Sequence, residues 1–154
     1  MNGAYFKAVK SLYGDTCEVP ATNVLPKARS SSHGKKKRQI EGILQTYLVN
    51  WAISRNLPIF SIPNEGNRGR MATHRLKQMG LRPGAADLFL ARPSRGYSGF
   101  FIEMKSPGER PRANQVQFLE DMRKEGYRAE WFDDWETARQ AVMDYLGWRE
   151  HHAK

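Results

Sequence analysis

The residue types able to do chemistry together lie in the run Gly99-Phe100-Phe101-Ile102-Glu103-Met104-Lys105. Its aromatic and apolar composition predicts a strand, and successive side chains of a strand alternate faces. Glu103 and Lys105 therefore project together while Ile102 and Met104 point the other way. A second strand-like run, Ala86-Asp87-Leu88-Phe89-Leu90, precedes it, and the intervening RPSRGYSG has hairpin-loop composition. Antiparallel pairing through that loop brings Asp87 near the end of the next strand, where Glu103 sits. Hard carboxylate ligands suit Mg²⁺ or Mn²⁺, which bind through one or two carboxylates plus substrate phosphate. A lysine beside them can orient an attacking water or offset charge building at phosphorus. The chemistry this set allows is metal-assisted hydrolysis of a phosphate ester, although an E-x-K triplet alone arises by chance in many chains.

For these residues to meet, the flanking chain must supply a sheet and helices to hold it. Ile40, Ile43, Leu44, Tyr47, Leu48, Trp51 and Ala52 recur at i, i+3, i+4, i+7, i+8, i+11 and i+12, one wide helical stripe. Pro58 to Ile62 predicts a short strand, PNEGNRGR a loop carrying cations, and Ala72 to Met79 a short helix ended by Gly80. Pro111 opens a helix that runs to Glu125, with Val116, Leu119 and Met122 near helical spacing and Gly126 closing it. Tyr127 to Phe132 predicts a strand. Asp134 caps a last helix in which Trp135, Ala138, Val142, Tyr145 and Leu146 share a face, with Gly147 at C′. Trp51, Trp131 and Trp135 are read as core residues rather than base-stacking platforms. The order α-β-(α)-β-β-α-β-α predicts an α/β sandwich, a mixed sheet of about four strands flanked by helices.

The 154 residues suffice for one core, and 25 Lys+Arg against 16 Asp+Glu give a net +9 and a pI near 9.9. A polyanion is the first partner to consider. The charge is uneven, since residues 1–40 hold 8 Lys+Arg and 2 Asp+Glu, a net +6. PATNVLPKARSSSHGKKKRQ is rich in Pro, Ser and Lys with no apolar period. Residues 1–38 are thus expected to form a basic, partly disordered leader and 39–154 the folded domain. Lys35, Lys36, Lys37 and Arg38 are candidate nucleic-acid contacts within that leader. Arg68, Arg70 and Arg75, with Lys77, Arg82, Arg92 and Arg95, are expected to border the site, and the acids between Glu120 and Glu136 to lie opposite. Cys17, the single cysteine, excludes an internal disulfide and a Cys-based zinc site. No apolar run approaches the ~18 to 20 residues that span a bilayer, so the chain is expected to be intracellular.

Taken together, these residues resemble the PD-(D/E)xK nuclease signature and, in their surroundings, the small stand-alone phage and bacterial type of its VRR-NUC branch. The resemblance rests on Glu41 with Gln45, Pro63-Asn64-Glu65-Gly66, Gly84-Ala85-Ala86-Asp87, Ile102-Glu103-Met104-Lys105, and Gln115, and it covers roughly Gln39 to Leu146. It implies a restriction-endonuclease-like fold and a Mg²⁺- or Mn²⁺-dependent endonuclease. In that family's pattern Asp87 and Glu103, with the Met104 carbonyl, hold the metal, Lys105 assists catalysis, Glu41 supports the metal or its water, and Gln115 positions the site. It also implies homodimers that cut branched DNA such as four-way junctions. The family usually has proline directly before the metal-binding Asp, where this chain has Ala86; proline shapes the strand entry but ligates nothing. The alternative readings are a non-catalytic DNA-binding protein on the same scaffold, and a restriction-type or RNA endonuclease.

Overall fold

The apolar stripe becomes the inner side of α1 (His33–Ser54), where Leu44, Leu48, Trp51 and Ala52 are buried and Tyr47 meets the Trp135 ring at 5.9 Å. The computed structural model describes residues 33–62, 74–76 and 78–149. Because α1 starts at His33, the boundary expected after residue 38 falls inside a helix. The cause is tertiary: the hydroxyl of buried Ser106 donates to the Lys37 carbonyl at 2.7 Å, tying this turn to the sheet. The helix ends without a glycine. Asn56 takes φ 58°, and the Leu57 N–H reaches back to the Ala52 carbonyl at 3.0 Å.

The sheet has four strands, β1 (Ile59–Ser61), β2 (Leu88–Leu90), β3 (Phe100–Met104) and β4 (Arg128–Phe132), in that spatial order. β1, β2 and β3 pair antiparallel, whereas β3 and β4 run parallel. The parallel step requires a crossover, and α2 (Ala113–Lys124) supplies it before α3 (Trp135–Leu146) closes the described chain. This is the mixed, helix-flanked α/β sandwich expected. His74, Arg75 and Leu76 are helical, and Gly80 after them has φ 94°.

The β2–β3 hairpin turns on Arg95-Gly96, both at positive φ (50° and 84°), between Ser94 and Tyr97, which exchange backbone bonds of 3.1 and 2.9 Å. That is the two-residue turn whose twist suits a hairpin. It puts Arg92 and Arg95 at the opposite end of the hairpin from Asp87 and Glu103, so these two arginines do not border the site as expected. Gly99 is required close by: a Cβ there would lie 2.6 Å from the Phe89 ring, which packs directly on the glycine.

Each face of the sheet has its own core. Ile59, Leu88, Leu90, Phe100, Ile102, Met104 and Phe132 pack with α1 and α3, including fully buried Tyr145, whose hydroxyl donates to the Arg92 carbonyl at 2.6 Å. Asp134 caps α3 as expected, accepting the Thr137 N–H at 2.8 Å, and Gly147 ends it at φ 71°. On the other face Ala85, Ala86 and Ala129 meet Phe118 and Leu119 of α2. Phe118 takes the inward position expected of Val116, which is 40 % exposed. Trp131 is likewise no core residue. It is 38 % exposed, although Ala129, two residues earlier on the same face of β4, is buried against α2. Among the described residues no helix is long and apolar enough to cross a membrane.

Candidate active site

The pairing of Leu88 with Ile102 sets Asp87 against the far end of β3. There its carboxylate accepts the Met104 N–H at 2.9 Å, while its own carbonyl accepts the Ile62 N–H at 2.8 Å. Glu103, one residue earlier on β3, has no exposed surface. Its Oε1 lies 2.5 Å from the Lys105 ammonium and also accepts the Gln115 side-chain amide. The Gln115 oxygen is in turn held by the Arg112 N–H at 3.0 Å, the cap of α2, which directs the amide nitrogen at Glu103. Lys105 extends the β3 ladder through its N–H to the Phe132 carbonyl at 2.8 Å. Its ammonium reaches the Met104 carbonyl at 2.8 Å and Glu41 of α1 at 3.4 Å.

These five side chains come from α1, the start of β2, the end of β3 and the first turn of α2. Their approach depends on small residues. A Cβ on Gly84, at φ 83°, would lie 2.6 Å from the Asn114 carbonyl, so only glycine lets the segment before Asp87 lie against α2. Ala86, where the resemblance led to proline, is fully buried beside Phe118 and Leu119, and the strand entry is kept by packing instead.

Burial, and next the nearby Asp87 charge, push the Glu103 carboxyl up to about 7, even though Lys105 favours its ionised form. Burial alone would lower Lys105, yet its hydrogen bond to Glu103 and the charges of Glu103, Glu41 and Asp87 outweigh that and raise it. Glu103 Oε2 is buried with no hydrogen-bond partner. A buried oxygen of this kind costs free energy until a proton, a donor or a cation satisfies it. Among the described residues no group of three or more His, Cys, Asp or Glu is gathered around one point. The oxygens this end of the sheet offers a hard cation are the Asp87 and Glu103 carboxylates and the Met104 carbonyl, a set that fits Mg²⁺ or Mn²⁺ with water completing the shell.

The expected nucleic-acid contacts divide. Lys37, Arg38 and Arg75 are exposed, and Lys37 forms an ion pair with Glu109. Arg82 is paired with Asp121 and stacked over Phe118 at 5.2 Å, which spends a cation expected at the border. Lys35 and Lys36 lie in α1, but their side chains are outside the described residues, as are Arg68, Arg70, Lys77 and the Pro63–Gly66 segment. Sequence reasoning missed Ser106, Glu109 and Asp133, which accepts the Gly108 N–H at 2.9 Å. They brace the loop between β3 and α2. Its Ser-Pro-Gly composition signalled a turn but nothing of its partners.

A family model described as the VRR-NUC domain matches residues 29–133. The chain belongs to the VRR-NUC family. A solved structure described as "VRR_NUC domain protein" superposes with a TM-score of 0.60 at 22 % identity, covering 70 % of this chain and 88 % of that one. This likeness shows the fold, a restriction-endonuclease-like sandwich. No curated protein matches the chain. The VRR-NUC match contains Glu41, Asp87, Glu103, Lys105 and Gln115, and it also covers the first turns of α1. It stops before α3, which here completes the core through Val142 and Tyr145.

Proposed function

We propose that this VRR-NUC protein is a Mg²⁺- or Mn²⁺-dependent endonuclease that hydrolyses phosphodiester bonds in branched DNA as a homodimer. The observation that carries this reading is the meeting of Glu103, Lys105, the Met104 carbonyl and Asp87 at one end of the β2–β3 hairpin. Asp87, Glu103 and the Met104 carbonyl would hold the cation. When bound, it supplies Lewis acidity toward a phosphate oxygen and lowers the pKa of a water. The protein's own residues do the rest. Gln115 and the buried surroundings fix the Glu103 carboxylate, and Asp87 is fixed by the Met104 N–H. Lys105, on the same side, donates to the attacking water or to a phosphate oxygen as charge builds there. Water adds to phosphorus, the P–O bond to one sugar breaks, and that oxygen leaves with a proton.

Exposed Arg38 and Arg75 supply phosphate-backbone contacts that position DNA without reading its sequence. One domain of this size carries one site, so cutting two strands of a four-way junction calls for two copies related by a two-fold axis. The test is incubation of purified protein with labelled linear, flap and four-way-junction DNA in Mg²⁺, Mn²⁺ or EDTA. Junction cleavage that needs the metal is the expected result. Binding with no cleavage of any substrate would replace this reading with a non-catalytic DNA-binding protein.

A further inference from the structure

The ammonium of Lys105 has no donor to spare. Its three N–H groups face Glu103 Oε1 at 2.5 Å, the Met104 carbonyl at 2.8 Å and Glu41 Oε1 at 3.4 Å. In this arrangement it can serve neither a water nor a phosphate oxygen. Two of the three acceptors, the Glu103 carboxylate and the Met104 carbonyl, are the oxygens that the proposed function gives to the divalent cation. Glu103 Oε2 is left without a partner, but an ammonium on Oε1 and on the Met104 carbonyl stands beside any cation that Oε2 and the same carbonyl would hold, and like charges this close repel strongly in a site with so little exposed surface.

We propose that Lys105 is the built-in stand-in for the metal: its ammonium holds the site's oxygens together until a divalent cation displaces it from Glu103 and Met104, which turns its donors toward the substrate. The inference rests on the metal-dependent reading above. No proton is lost in the exchange; the ammonium changes partners. Glu41 gives it somewhere to go, because this carboxylate lies one turn along α1 from Lys37, whose carbonyl is tied to Ser106. The arrangement also sets a cation against a wholly buried Glu103 that has a second carboxylate, Asp87, close by. Displacement works against metal binding, so the site should bind Mg²⁺ more weakly than its oxygens alone would.

The full chain labelled with ¹⁵N-lysine tests this by NMR of the side-chain ammonium groups, with the Lys105 signal identified by its loss in Lys105→Met. Calorimetric Mg²⁺ titrations of both proteins run in parallel. The Lys105 signal should be protected from solvent without metal, and should move or vanish over the Mg²⁺ range in which the wild type binds. Lys105→Met should bind Mg²⁺ on the order of tenfold more tightly, the reciprocal of the competition. Heat of binding with an unmoved Lys105 signal overturns the stand-in role and leaves the metal-dependent reading intact, as does a Lys105→Met protein that binds no tighter. No binding heat in the wild type removes both. If Lys105→Met does not fold, the Mg²⁺ response of the wild-type lysine signals as a group decides alone.

Discussion

Gln115 donates its side-chain amide to Glu103 while accepting the backbone N–H of Arg112, so one residue both caps α2 and orients the buried carboxylate. The helix start and the site are thereby a single unit. Gln115→Ala should lower cleavage about 10- to 100-fold, the usual cost of losing a group that orients a ligand. It should cost only about 1 kcal/mol of stability for the missing cap. Gln115→Glu would set a second carboxylate against Glu103 with no N–H to hold it and should lower cleavage at least as much. Cleavage rates together with thermal melting separate the two roles: equal loss of activity and folding would reduce Gln115 to a cap.

Asp87→Asn or Glu103→Gln should abolish cleavage while DNA binding survives, because each removes a ligand charge and keeps side-chain shape. Lys105→Ala should also be inactive. Electrophoretic binding and cleavage assays on the same junction check this, with circular dichroism to confirm folding. Cleavage retained by folded Asp87→Asn would remove it from the metal site.

Asp87, Glu103 and Lys105 are legible because strand alternation and a two-residue hairpin are local rules. The loop RPSRGYSG says where the chain turns, and period two says which side chains share a face. Asn56, Ser106 and Trp131 are not legible, since each depends on what the chain packs against. Asn56 ends a helix in place of glycine, Ser106 bonds a carbonyl far away in sequence, and Trp131 lies exposed where Ala129 on the same face is covered by α2. The start of α1 escapes the sequence for the same reason, since apolar period cannot mark a turn held by Ser106. Arg92 and Arg95 go astray when neighbours in sequence are treated as neighbours at the site, because a hairpin sends its turn away from its open end.

The Glu103 carboxyl, raised from 4.5 to about 7 by burial and then by Asp87, makes stability and metal binding depend on pH in opposite directions. A raised carboxyl binds a proton in the folded state that the unfolded chain has lost. Its contribution to stability is full below 4.5 and disappears as pH rises through about 7. A cation needs the ionised form. The gain in melting temperature on adding Mg²⁺ should therefore grow between about pH 5 and about pH 8. Scanning fluorimetry over that range is the check, and Glu103→Gln should flatten the trend. A Mg²⁺ gain that stays constant with pH in the wild type would exclude Glu103 as a ligand.

Because α1 begins at His33, the basic segment before it is best removed as residues 1–32, which leaves the Lys37–Ser106 tie whole. Those residues include Lys7, Lys10, Lys27 and Arg29. If they touch phosphates, the shortened protein should bind all DNA more weakly, and its log–log salt slope on duplex should fall by ~0.9 for every phosphate it no longer neutralises. Cleavage at saturating DNA should change much less. An unchanged slope in fluorescence-anisotropy titrations would show that this segment is not a DNA arm.

Substrate choice follows from what faces the DNA. Sequence readout needs an element lodged in a groove with Arg, Asn or Gln aimed at base edges, whereas Arg38 and Arg75 are exposed cations suited to phosphates. Recognition should then rest on backbone and shape. A two-fold dimer with one site per subunit matches the near-symmetric arms of a four-way junction, so paired nicks should appear at symmetric positions on opposing strands. Light scattering tests for a dimer, and mapped cuts on a junction with fixed arms test for the symmetry. A strict monomer that cuts linear duplex at one recurring sequence would overturn the junction assignment, and the restriction-type alternative would take its place.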